Sequence, residues 1–147
     1  MKRTLLIAAV VFLRARAEMF DAAAQPVDLK TVHAFLARSK EDKPATTFSD
    51  DVPKVWLVWK SEGLRVGDEI RVVWIAEDVG NVAAKESKIG ERSLRVSKPN
   101  EDGSIWLSRP GDRLWPIGEY RTEIYVGKRL VQALRFTIKP GVRVEVQ

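Results

Sequence analysis

The chain has 147 residues, of which 45% are hydrophobic and 31% charged, and a formal net charge of +5. That is about one domain's length, with enough apolar material for a real core. Cysteine is absent, which excludes a disulfide framework, a thiolate metal site and a thiol nucleophile.

The chain opens on Lys2 and Arg3, and Thr4 to Leu13 is apolar after its first residue. Small residues follow at Ala15, Ala17 and Ala22 to Ala24. A basic start, an apolar run and small residues are the three parts of a secretory signal. Residues 1–24 are therefore expected to be a secretion signal and cleavage region, cut at Ala17 or Ala24. The run is shorter than the roughly 20 residues that span a bilayer, so no membrane span is expected in the mature chain. That mature chain is expected in the periplasm or outside the cell. Lys2, Arg3, Arg14 and Arg16 all precede the first acid, Glu18. Without them 21 basic residues face 20 acidic ones. The remainder is nearly neutral and carries no basic stripe, which argues against a nucleic-acid partner.

Leu29, Val32, Phe35 and Leu36 fall at helical spacing, so residues 26–38 are expected to form a short amphipathic helix. Residues 39–47 are polar, contain Pro44 and suit a linker. From Asp51 onward the period is two and turn signals recur, as in an all-β sandwich, so the sandwich domain is expected over residues 48–147. Val55, Leu57 and Trp59 alternate on one strand; Ile70, Val72 and Trp74 alternate on the next, with Arg71 and Glu77 on its other face. Residues 81–92 carry no clear period and are expected to be a long connection. Leu94 and Val96, then Ile105 to Ser108, mark two further strands. Tyr120, Thr122, Ile124 and Val126 alternate on another, which Gly127-Lys128 turns into a strand with Leu134, Phe136 and Ile138 inward. After Pro140-Gly141, Val142, Val144 and Val146 alternate and suit a last, edge strand protected by Arg143 and Glu145.

Trp115-Pro116-Ile117-Gly118-Glu119-Tyr120 precedes a strand, a tight hairpin and a Phe136-Thr137-Ile138 strand. This pattern resembles the late-strand corner of immunoglobulin-like and fibronectin-like domains, including β-sandwich domains of bacterial envelope proteins. The resemblance covers about Val52 to Lys139. It implies an antiparallel immunoglobulin-like β-sandwich of about seven strands. Trp115, Pro116, Gly118 and Tyr120 would form the corner, with the Tyr120 hydroxyl bonded back to nearby backbone. Thr122 stands where an immunoglobulin domain has its second cysteine, so the likeness is to the broad sandwich class and is nearly silent on activity.

Candidate chemistry is sparse. His33 is the single histidine, and Asp28 is too far along a helix to serve as its partner. The pairs Asp50-Asp51, Glu77-Asp78 and Glu101-Asp102 have neither the alternating oxygen spacing of a calcium loop nor, on extended chain, a shared face. Solvated turns explain them. No catalytic residue, metal ligand or cofactor is predicted. Five tryptophans are present. Trp59 and Trp74 belong to the apolar faces and Trp115 to the corner. Trp56 and Trp106 have the opposite parity. They either pack under the helix and over a sheet edge, or form an exposed platform for a sugar ring or a protein partner. The expected function is that of a non-enzymatic, exported module that binds another envelope protein or has a structural role there. The alternative is a carbohydrate-binding module that stacks a glycan on Trp56 and Trp106.

Overall fold

The computed structural model of the chain describes residues 29–146, so the expected signal over 1–24 lies outside the described residues. Eight strands follow in order: β1 (Thr31–Ala37), β2 (Thr47–Ser49), β3 (Lys54–Glu62), β4 (Glu69–Asp78), β5 (Ser87–Arg95), β6 (Gly103–Ser108), β7 (Gly118–Val126) and β8 (Arg129–Lys139). They form a three-stranded sheet of order β1-β3-β6 and a five-stranded sheet of order β2-β8-β7-β4-β5. All pairs are antiparallel except β2 with β8. The two sheets face each other as an immunoglobulin-like β-sandwich.

Strand alternation builds the core. Val55, Leu57 and Trp59 of β3 and Ile105 of β6 face Ile70, Val72 and Trp74 of β4 and Ile124 of β7, all buried. Aromatic contacts tie the strands of the larger sheet. Phe136 stacks on Tyr120 at 5.1 Å between centroids and meets Phe48 and Trp74 edge-on at 5.8 and 6.2 Å. Such offset and edge-on pairs stabilise beyond their area burial, by about 0.5–1.5 kcal/mol each. Thr122 is fully buried, and its hydroxyl donates to the Val73 carbonyl at 3.3 Å.

Four expectations are corrected. The helix expected over 26–38 lies partly outside the described residues, and from Thr31 to Ala37 the chain is strand β1, paired along its length with β3. Val32 and Leu36 satisfy a period of two as well as they satisfy a helical spacing, and the free edge of β3 decides between them. The sandwich thus includes residues before 48, and residues 39–46 connect two of its strands instead of linking a helix to it. Residues 87–92, expected within a connection, belong to β5, whose outer edge is charged and whose inner side chains are few. Residues 141–146 form no strand. Val142, Val144 and Val146 are exposed, while Gly141 N–H and Arg143 are held by the Asp50 carboxylate at 2.9 and 2.8 Å.

The two sides of the sandwich differ. On one side the edge of β1 is closed by a side chain. Gln132 Oε1 accepts from Ala34 N–H at 2.8 Å, and its Nε2 donates to the Ala34 carbonyl at 3.2 Å. A register shift on β8 leaves Val131 unpaired beside it. On the other side β5 and β6 are both edge strands, and a groove opens between them.

Candidate functional site

Trp56 of β3 and Trp106 of β6 stand directly opposite each other on the outer face of the three-stranded sheet. Their ring centroids are 4.9 Å apart at an interplanar angle of 43°. Trp106 is 38% exposed and Trp56 is half-buried. Among the described residues no helix covers Trp56, contrary to one of the two expectations for it. Trp106 does lie on an edge strand. Lys54 Nζ sits 4.6 Å from the Trp106 ring and 5.8 Å from the Trp56 ring, and the Arg92 guanidinium is 5.6 Å from Trp106. Those cations meet the negative faces of the rings. A flat sugar-stacking platform would need open, near-parallel rings. This pair is tilted and capped by charge.

The second candidate is the groove between β5 and β6. It has a volume of about 260 Å³ and an apolar lining that includes Ala76, Val79, Ile89, Leu107, Trp115 and Tyr120. Ile89 reaches it through a bulge. Trp74 pairs with Gly90 and Ile75 with Lys88, which leaves Ile89 as the extra residue. Gly90 leaves room for the Leu107 side chain beside the groove, since a Cβ there would lie 2.8 Å from Leu107 Cδ1. Val82, which also lines the groove, is exposed, as are Leu114 and Ile117 on either side of the lining residues Trp115 and Pro116. The rims differ in chemistry. β5 carries Lys88, Glu91, Arg92 and Arg95 and the bulge, which discourage pairing with another chain. β6, Gly-Ser-Ile-Trp-Leu-Ser, carries no charge, no proline and an uninterrupted register with β3.

The corner supports one end of this groove. Trp115 is buried, donates Nε1–H to the Val52 carbonyl at 2.7 Å and meets Tyr120 in a T-shaped contact with ring centroids 6.1 Å apart. The Tyr120 hydroxyl donates to the Pro116 carbonyl, and burial pushes its pKa up to about 12. Gly118 has φ +151°, and a Cβ there would lie 2.1 Å from the Asp78 carbonyl oxygen.

The acidic pairs are taken up by backbone and ion contacts. Glu101 accepts from Ser97 N–H and Oγ, the former holding its carboxyl below the ordinary value. Asp102 accepts from Ser61 N–H, and Asp78 from Gly80 N–H. Glu77 meets Arg121 and Arg135 at 2.9 and 3.1 Å. His33 is exposed on β1. Among the described residues no group of three or more His, Asp or Glu could hold a metal ion.

The groove was not foreseen from the sequence, because Ile89 and Ala83 fall in the stretch read as a connection. Ile89 was the available signal: an isolated apolar residue between Lys88 and Gly90, where a glycine beside a charged stretch suits a bulge.

No protein-family model and no curated protein matches the chain. Among solved structures, part of a β-glucosidase from Listeria innocua in complex with laminaribiose is similar with a TM-score of 0.50 at 7% identity, over 78% of this chain and 17% of that one. An immunoglobulin-like protein (PA1606) from Pseudomonas aeruginosa is similar at 15% identity, over 74% of this chain and 91% of that one, with a TM-score of 0.47. The Pseudomonas fluorescens alkylpurine DNA glycosylase AlkC, bound to DNA containing an abasic site analog, is similar at 13% identity, over 75% of this chain and 30% of that one, with a TM-score of 0.46. The chain thus spans less than a third of two of these proteins, and the likeness to the β-glucosidase is one of fold alone.

Proposed function

We propose that this is an exported, non-enzymatic β-sandwich module of the cell envelope that binds a protein partner by strand addition at β6. The observation that carries the reading is the pairing of an uncharged, unbulged edge strand with an apolar groove beside it. Such an edge offers a row of unpaired backbone groups to an extended segment, and the groove takes its alternate side chains. Export is supported by the basic, apolar and small-residue layout of the first 24 residues. Intact mass of the protein in the envelope fraction tests it: a species shortened to Glu18 or Gln25 is expected, and a full-length cytosolic one refutes it.

The groove is tested with a photo-crosslinking residue at Leu107, followed by affinity measurements on the captured partner. Ile89→Asp should weaken binding by roughly 30-fold or more, as loss of a hot spot does, while Trp56→Ala should leave it within about threefold. Unchanged binding in Ile89→Asp would refute the groove reading. The carbohydrate alternative is favoured only by the adjacent pair of half-buried Trp56 and exposed Trp106. Binding to a glycan array that disappears in Trp106→Ala would restore it.

A further inference from the structure

This inference rests on the reading of the β5–β6 groove as a strand-binding site and names its occupant. The described residues contain a segment with the complementary pattern. After β8, Val142, Val144 and Val146 alternate with Arg143 and Glu145, and the valines are 97%, 83% and 92% exposed. β-Branched residues at every second position suit a strand with one apolar face, yet this segment pairs with nothing in its own sheet. Its root is fixed. The Asp50 carboxylate, its side chain 3% exposed, accepts from Gly141 N–H and from Arg143. Beyond that clamp the valines stand in solvent, where three adjacent apolar side chains on one face mark a contact surface.

We propose that residues 142–146 of one copy add as a strand to the free edge of β6 in a second copy, with the valines in the groove between β5 and β6. The lengths match: five extended residues reach about 16 Å and the six of β6 about 20 Å. The β6 rim is the one without charge or bulge, so pairing falls there and not on β5. Because the two contacting surfaces are different patches, a single contact is heterologous and builds a ring or an open chain, whereas two copies that exchange tails reciprocally make a two-fold pair.

Sedimentation velocity of the full chain over a roughly hundredfold range of concentration tests this, since assembly follows mass action. The weight-average mass of the wild type should rise with concentration. Val144→Asp and Ile89→Asp, both at exposed positions, should each remain monomeric with unchanged circular dichroism. Mixed together they should form heterodimers, because one keeps an intact groove and the other an intact tail. A merely destabilised fold would not be rescued by mixing. A wild type that stays monomeric throughout, or a Val144→Asp variant that associates normally, overturns the proposal. A peptide of residues 140–147 and a panel of unrelated extended apolar peptides are then titrated into Val144→Asp, with tryptophan fluorescence as readout. If only unrelated peptides bind, this inference falls and the groove reading stands. If none binds, both fall. If the peptide binds Val144→Asp but not a monomeric wild type, the tail fills its own groove and the second copy is excluded.

Discussion

Tyr120 shows how far a single side chain can be read in advance. Its hydroxyl and the Pro116 carbonyl are four residues apart, so the bond is a local consequence of the Trp-Pro-x-Gly-x-Tyr spacing and was legible in the sequence. Tyr120→Phe leaves the ring stack on Phe136 in place and strands a part-buried carbonyl. The expected cost is about 1–3 kcal/mol, read as a lower urea midpoint, and equal midpoints would refute the corner bond. Gly118→Ala should cost more, on the order of 3 kcal/mol or above. Its added Cβ meets backbone that cannot move aside, at a φ that side chains rarely adopt. A midpoint within that of Tyr120→Phe would show that β7 can shift to accommodate it. The outward parity of Trp56 and Trp106 was equally legible from alternation. Their mutual contact was not, because it depends on the register of strands fifty positions apart.

Strands with one strong apolar face were read correctly, and those that depend on a neighbour were not. β3, β4 and β7 each carry three or more buried residues at a period of two, and β8 buries Phe136 and Ile138 at the same period with Leu134 half-buried before them. β1 offers seven residues, too few to separate a helical period from an alternating one. β5 buries almost nothing, so its strand character comes from pairing with β4 and leaves no pattern to read. The valines of 142–146 present the reverse case, a strand pattern with no strand in this chain. β1 also shows how an edge is protected without charge, through the two bonds of Gln132 to Ala34. Gln132→Ala removes both and opens that edge. The expected cost is about 1–3 kcal/mol. Hydrogen exchange at the Ala34 amide should accelerate by roughly fivefold or more, as the opening free energy falls by about 1–3 kcal/mol. Unchanged protection at Ala34 would show that the edge is covered in some other way.

Charge across the whole sandwich is balanced by contacts that bind the larger sheet to its loops. Arg121 of β7 reaches Glu77 of β4 and Glu86 in the turn before β5, and Arg135 of β8 joins Glu77 from the other side. Burial raises the Glu77 pKa, but the hydrogen bonds from Arg121 and Arg135 outweigh it and hold the carboxyl below its ordinary value of 4.5. Asp68 is lowered likewise by its hydrogen bond from Lys30 at 2.8 Å. Arg121 is raised, chiefly by its hydrogen bonds to Glu86 and Glu77, and stays charged throughout. The sign follows from linkage. A carboxylate with a lowered folded pKa stabilises fully above its unfolded value, and the contribution disappears as pH falls through the folded value. Stability should therefore be flat above about pH 5 and decline below the ordinary 4.5 of Glu77. Each such carboxylate adds at most about 1.4 kcal/mol of slope per pH unit. Glu77→Gln should lower stability at pH 7, because Arg121 and Arg135 lose their shared anion, and should flatten the decline below pH 4.5 by up to one carboxylate's share. Urea unfolding of wild type and variant from pH 3 to pH 7 measures both effects. Parallel curves, equally steep below 4.5, would mean that Glu77 titrates alike in the folded and unfolded chains and that the Arg121–Glu77–Arg135 cluster contributes nothing to acid sensitivity.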